Sequence, residues 1–141
     1  MVHIAYVAGL IDGEGTITIA RQRRGSSPTW RYQPRLLVVN TDLRLIEAVR
    51  HALNVGIVYQ SKADRTGAIP ANWNPVHRFQ ATAQQAIYAL KIVRPYLIAK
   101  AEHADIVLDM PTRSKNHRDT SAVAGQVAAF EAIARLNRRG R

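Results

Sequence analysis

The sequence predicts an α+β fold of order αββαββα, a four-stranded antiparallel sheet backed by helices on one face, with extra helices at the C-terminal end. Three observations predict it. Four segments alternate apolar and polar residues with a period of two, as half-buried strands do. Between and around them lie segments whose apolar residues recur at helical spacing. Cap and breaker residues mark the boundaries, among them Thr41-Asp42, Asn54-Val55-Gly56 and Pro95. A chain of 141 residues fits one compact domain. Residues 1–141 are therefore read as a single domain, with 112–119 a basic linker before the last helix.

The first helix runs into Val7-Ala8-Gly9-Leu10-Ile11-Asp12-Gly13-Glu14-Gly15. Gly13 and Gly15 are expected to turn the chain sharply, since glycine adopts positive φ without a Cβ penalty. Thr16–Arg23 follows as a strand, with Ile17 and Ile19 on one side and Thr16, Thr18, Ala20 and Gln22 on the other. Arg23-Arg24-Gly25-Ser26-Ser27-Pro28 is a polar turn. In the second strand, Trp30–Asn40, the residues Tyr32, Pro34, Leu36 and Val38 share one face, and Arg31, Gln33 and Arg35 the other. Pro34 has no N–H to donate to a ladder, which predicts an edge position or a bulge.

Asp42 caps a helix over Leu43–Leu53 with Leu45, Ile46, Val49 and Leu53 inward, and Asn54 or Gly56 supplies its left-handed stop. Strands over Ile57–Ala63 and Val76–Thr82 make a second hairpin, in which Arg78 and Gln80 share a face. A helix over Gln84–Val93 is broken by Pro95 and resumes over Tyr96–Leu108. Thr120-Ser121 caps the last helix, Ala122–Asn137, with Val123, Val127, Phe130, Ile133 and Leu136 inward. The tail from Arg138 is expected to fray and to be placed for phosphate contact.

Net charge is +10 and the pI about 10.9, which favours a polyanionic partner. Apart from Lys62, Lys91, Lys100 and Lys115 the basic residues are arginines, suited to bidentate contact with phosphate and guanine. The chain has no cysteine, hence no disulfide and no thiolate zinc site. No apolar run nears the ~20 residues that span a bilayer. No membrane partner is expected, and the protein is read as soluble and intracellular, in the cytoplasm, the nucleoid or an organelle. The histidines show no metal-ligand spacing.

Ala5, Gly9 and Gly13 recur every four residues and so share one helix face. Small residues in such a row admit a second helix at close range. If the partner is the same helix of a second copy, the helix ends converge and two Glu14 carboxylates lie side by side. Such a pair calls for a cation, and oxygen-only ligation suits Mg²⁺. The expected dimer interface is Ala5, Ala8, Gly9, Asp12 and Gly13. The other sheet face would meet duplex DNA, with Thr16, Thr18, Gln22, Arg23, Arg24, Arg31, Gln33, Arg35, Tyr59, Ser61, Arg78 and Gln80 as its contact residues.

The stretch from Val7 to Gly15 resembles the motif of the LAGLIDADG homing endonucleases. It matches in kind at every position but the first, where Val7 stands for Leu. The chain holds one copy of the motif, as the single-motif homodimeric members do. The resemblance implies the homing-endonuclease fold with a saddle-shaped sheet. It also implies site-specific double-strand cutting of a long pseudo-palindrome, leaving short 3′ overhangs, by an intron-encoded enzyme. Glu14 and the Gly13 carbonyl would bind Mg²⁺ or Mn²⁺, with Ca²⁺ supporting binding without cleavage. Asn40, at the end of the second strand, would position the attacking water or a metal-bound water. Lys100, after Pro95-Tyr96-Leu97, would stabilise charge at the scissile phosphate.

Two other readings use the same residues differently. LAGLIDADG-like folds also serve as RNA maturases, with intron RNA as partner, and as non-catalytic DNA-binding regulators. The intact Glu14 carboxylate argues against a purely regulatory protein. A basic structural protein would show no self-association through the first helix.

Overall fold

In the computed structural model, which describes residues 1–23, 25–26, 29–61, 75–111 and 120–139, nine helices and strands follow one another. They are α1 (Ile4–Glu14), β1 (Gly15–Arg23), β2 (Trp30–Asn40), α2 (Leu43–Leu53), β3 (Ile57–Gln60), β4 (His77–Thr82), α3 (Ala83–Val93), α4 (Ala101–Asp109) and α5 (Thr120–Arg139). A single 3₁₀ turn, Arg94–Tyr96, follows α3. The four strands form one antiparallel sheet in the order β1-β2-β4-β3, so β2 and β4 are central. The expected fold class is the one observed. Arg24 and the segment 112–119 lie outside the described residues.

Strand parity separates the sheet into two faces. Ile17, Ile19, Pro34, Leu36, Val38, Phe79 and Ala81 are buried on the helix side. They meet Val7, Ala8 and Ile11 of α1, Ile46, Val49 and Leu53 of α2, and Ala86, Ala89, Leu90 and Val93 of α3 in one continuous core. Pro34 pairs with Ile19 of β1, while pairing with β4 begins only at Arg35. At Pro34, then, β2 has a single neighbour, and the missing N–H leaves no ladder bond unmade.

Local chemistry explains the boundaries. Asp42 accepts from Arg44 N at 2.9 Å as the N-cap of α2, and Asn54 ends that helix at φ 56, ψ 27. Gly56 follows at φ 86, where an added Cβ would stand 2.5 Å from the Phe79 ring. The glycines of the opening motif act otherwise than expected. Neither Gly13 nor Gly15 has a positive φ. Gly13 lies inside α1 with open space where a Cβ would be, and Gly15 is extended (φ −82, ψ 160). What Gly15 supplies is close approach, since a Cβ there would sit 2.8 Å from the Ile11 carbonyl oxygen.

Two helices differ from the sequence reading. The chain does not resume a helix at Tyr96, because Leu97 is extended and α4 begins only at Ala101. The apolar stripe of α5 is turned by about one residue from the expected set. Its buried members are Ala122, Gln126, Ala129 and Ile133, while Val123, Val127, Phe130 and Leu136 are half-buried. Gln126 faces inward because its Nε2 donates to the Pro111 carbonyl at 3.0 Å, where Pro111 also lies against Gly125. Asn137 Nδ2 donates to the Ile17 carbonyl at 3.2 Å, tying the end of α5 to the outer edge of β1.

The Gly56 geometry carries a prediction. Gly56→Ala combines a left-handed backbone with a clash against the largest fully buried side chain, so it should cost about 1–3 kcal/mol. Urea unfolding of the variant measures the cost, and an unchanged midpoint would contradict this reading of the turn.

Candidate active site

The last turn of α1 gathers side chains from three distant parts of the chain. Glu14 is exposed at its end, and its Oε2 accepts a 2.8 Å hydrogen bond from Asn40 Nδ2 at the end of β2. Asn40 Oδ1 in turn accepts from Asp42 N at 2.7 Å. These two bonds orient the amide: its oxygen closes the turn into α2, and its nitrogen faces the carboxylate. Glu14 Oε1 has no partner among the described residues.

Asp12 works on the opposite side of the same turn. Its carboxylate accepts from Ile98 N at 2.8 Å and from Lys100 N at 2.9 Å. Lys100 Nζ donates to the Asp12 backbone carbonyl at 2.9 Å. Three hydrogen bonds therefore join one residue of α1 to the segment between the 3₁₀ turn and α4. This is the physical reason that α4 starts late: the amides of Ile98 and Lys100 are satisfied from outside instead of by helix. An ammonium at the carbonyl end of α1 also suits the helix dipole.

The expected site residues thus divide. Glu14, Asn40 and Lys100 are brought together around the end of α1. Asp12, expected at the interface, has both carboxylate oxygens bound within its own protomer. Ala8 is fully buried in the protomer core and has no surface to offer a partner. Ala5, Gly9 and Gly13 are exposed along one side of α1, joined by Tyr6, which is 50% exposed. An added Cβ would meet nothing at Gly9 or Gly13.

On the sheet, register aligns the open face in cross-strand rows. Thr16 stands opposite Leu37, Thr18 opposite Arg35, and Gln22 opposite Arg31, while Gln33 faces Ala20. Arg78 faces Val39 on one side and Tyr59 on the other, and Gln80 lies between Leu37 and Ile57. Arg23 does not join them. It pairs with Trp30 on the helix-side parity, and its guanidinium stacks over the Trp30 ring at 4.3–4.4 Å, as that of Arg21 does. A residue at the strand's end was expected on the DNA face, but alternation places it on the other.

The sequence predicts a frayed tail from Arg138, placed for phosphate contact, whereas α5 runs on through Arg139. Asn137 and Arg138 line a groove of about 420 Å³ with Thr16 and Thr18, so this end is helical and docked at the margin of the open face. His103 of α4 lies near, with an unpartnered buried Nδ1. Burial holds its imidazole below the usual histidine pKa, and the Lys100 charge acts in the same direction. No regular spacing in the sequence could have shown these neighbours, because they meet only through the docking of α4 and α5.

Among the described residues no three His, Cys, Asp or Glu side chains gather to hold a metal. The donors at the end of α1 are oxygens, the Glu14 carboxylate and backbone carbonyls, which fits a hard divalent cation such as Mg²⁺ in kind. One protomer offers a single carboxylate there, fewer than such an ion takes from protein alone.

The Asp12 bonds can be tested directly. Asp12→Ala leaves two amides without their acceptor and should cost on the order of 2 kcal/mol. It should also speed hydrogen exchange at Ile98 and Lys100 well beyond the change at β2, as measured by amide exchange. Uniform acceleration would contradict a local clamp.

A sequence model of the family described as LAGLIDADG endonuclease matches residues 7–97. A search of curated protein sequences found no match. Among solved structures, the homing endonuclease I-CvuI in complex with the I-CreI target in 2 mM Mg is similar at a TM-score of 0.76 and 20% identity. The match covers 94% of this chain and 80% of that one. I-CvuI has also been solved with its own target in 2 mM Ca. The homing endonuclease I-TnaI aligns over 99% of both chains at 17% identity and a TM-score of 0.62. I-GzeII, a LAGLIDADG homing endonuclease in complex with its DNA target, aligns at 17% identity and a TM-score of 0.66, over 94% of this chain but 44% of that one. The fold they share, together with a family match that spans most of the chain and takes in the last turn of α1, identifies this protein as a member of the LAGLIDADG endonuclease family.

Proposed function

We propose that the chain is a site-specific, divalent-metal-dependent double-strand DNA endonuclease that acts as a homodimer. The observation that carries this reading is the meeting of Glu14, Asn40 and Lys100 at the end of α1, whose exposed side is a row of small residues. Two copies paired along Ala5, Gly9 and Gly13 would bring the two Glu14 carboxylates together and complete a donor set that one protomer lacks. The 44% coverage of I-GzeII leaves room in that longer chain for a second unit of similar size, which agrees with a pair of units acting together.

Glu14 and the Gly13 carbonyl of each copy are the residues to hold the ion, Mg²⁺ or Mn²⁺ for cutting, with Ca²⁺ for binding alone. When bound, it supplies positive charge to the phosphate and aligns the displacement. The chain's own side chains do the rest. Asn40 fixes the Glu14 carboxylate through one N–H and keeps a second N–H for the attacking water. Lys100 uses one proton on the Asp12 carbonyl and has two for a phosphate oxygen, where negative charge grows as the P–O bond breaks.

The open sheet face is the DNA contact surface in this reading. β2, at 11 residues, is ~36 Å long, near the ~34 Å of one duplex turn. Two copies about a two-fold axis would span about two turns and ask for a pseudo-palindrome, cut near its centre to leave 3′ overhangs. Thr16, Thr18, Gln22, Arg31, Gln33, Arg35, Tyr59, Ser61, Arg78 and Gln80 lie on or beside that face, with Arg138 at its margin. Each base pair shows a distinct pattern in the major groove, so such a face can select sequence.

Two experiments test the proposal. Glu14→Gln should retain DNA binding in Ca²⁺ and lose at least 100-fold in cleavage rate with Mg²⁺, measured on a site selected from a random DNA pool. Unimpaired cutting by the variant would remove Glu14 from the chemistry. Gly9→Arg should convert a sedimenting dimer into monomers that fail to cut both strands, because the row on α1 has no room for a long side chain between helices. A variant that remains dimeric would place the interface elsewhere.

A further inference from the structure

The β3–β4 hairpin carries two hydrogen bonds that do nothing for the core. Both lie on the open face. Tyr59 stands opposite Arg78, and its hydroxyl crosses to the diagonal neighbour, donating to Gln80 Oε1 at 2.9 Å. Arg78 Nε donates to Ser61 Oγ at 2.8 Å. Ser61 is itself held, its N–H donating to the Val76 carbonyl at 2.9 Å. The Nη nitrogens of Arg78 and the Nε2 of Gln80 have no partner among the described residues.

Each bond restricts how a side chain can meet a base edge. A guanidinium with Nε engaged can approach only end-on, through its two Nη nitrogens. Guanine is the base that presents two adjacent acceptors, N7 and O6, to such a fork in the major groove. A glutamine whose Oε1 is taken by a hydroxyl turns its NH₂ outward and meets acceptors. The cytosine edge, which offers a donor, is then the poor match. Side chains two apart on a strand are ~7 Å apart, about two base-pair steps at ~3.4 Å each.

We propose that Ser61 and Tyr59 are positioning residues that set Arg78 and Gln80 as outward-facing donors. The hairpin thereby selects guanine at the position Arg78 meets and excludes cytosine about two steps away, where Gln80 meets the duplex. This assigns different work to four residues that the sequence presents alike as DNA-contact positions. It rests on the open face being the DNA contact surface, and it is independent of whether the protein cuts.

The test is selection of bound duplexes from a randomised pool in Ca²⁺, so that preference is read without cleavage. The proteins compared are the wild-type chain, Arg78→Ala, Gln80→Ala, Ser61→Ala, Ser61→Thr and Tyr59→Phe. All of these positions lie on the open face, and thermal melts check that each variant is folded. Wild type should show one guanine per half-site preferred about 10-fold or more, within the range of a good bidentate contact. Arg78→Ala should flatten that position. Ser61→Ala should weaken the same position several-fold, and Ser61→Thr, which keeps a hydroxyl, should restore it. Tyr59→Phe should admit cytosine only at the position that Gln80→Ala also relaxes.

The proposal is overturned if Arg78→Ala leaves every guanine preference intact. It is equally overturned if Ser61→Ala and Tyr59→Phe change positions other than those altered by Arg78→Ala and Gln80→Ala. In the latter case Ser61 and Tyr59 read bases themselves. A selected site that binds as described but is not cut in Mg²⁺ refutes the endonuclease reading and leaves the base assignment standing.

Discussion

Asp12 sets the constraint that the rest of the site depends on. Successive residues of an α-helix are turned by about 100°, so fixing one side chain fixes the aim of its neighbours. With its carboxylate spent on Ile98 N and Lys100 N, Asp12 faces into its own protomer. Gly9 and Gly13 then face out, and Glu14 falls at the end of the helix beside Asn40. The same residue's carbonyl holds Lys100 Nζ. An inward acid thus does two things: it leaves the small-residue face of α1 clear, and it gathers the polar groups around the helix end. The two acids of the motif are alike in chemistry and opposite in aim.

The sheet is subject to a second constraint, that only one of its two faces is buried. Burial falls on one parity and polar exposure on the other, and a single inserted residue would exchange them. Gly15 starts that count. Without a Cβ it lets β1 begin directly against Ile11, so Ile17 enters the core and Thr16 and Thr18 take the open side. Pro34 sits where β2 has lost one neighbour, at no cost to the ladder. These two residues show why a strand of this protein tolerates what a central strand elsewhere would not.

Most of this architecture was legible in the sequence, for physical reasons that also mark where legibility ends. β2 and α2 begin and end at the residues expected, because each is bounded by chemistry carried locally: alternation, an Asp42 cap, an Asn54 stop. The family resemblance pointed to Glu14 and to Asn40 separately, and the hydrogen bond between them is seen only in the fold. What the sequence could not show was the aim of Asp12, since its partners lie 86 and 88 residues away. The same holds for the late start of α4, for Arg23 stacking on Trp30 behind the sheet, and for Gln126 turned inward to reach Pro111. Each is decided by a contact between distant segments, which no local period encodes. The expected positive φ at Gly13 and Gly15 erred differently: glycine was read as freedom to turn, where the structure uses it for want of a Cβ.

The distribution of charge binds these points together. None of the strand residues in β1, β2, β3 and β4 is acidic, whereas the strands carry Arg21, Arg23, Arg31, Arg35 and Arg78. The ion pairs among the described residues, Arg44 with Asp42 and Arg94 with Asp105, involve helices and their caps. Among the described residues the acids therefore lie in helices and their caps, and the open-face strand positions bear arginine and no carboxylate. An overall charge of +10 states only that a polyanion is favoured. Arg31, Arg35 and Arg78 fall on the open face, and Glu14, exposed at the end of α1, stands apart from them. A carboxylate so placed repels a phosphate unless a cation joins them, which is why the same residue that looks out of place on a DNA-binding protein is the one on which cutting would turn.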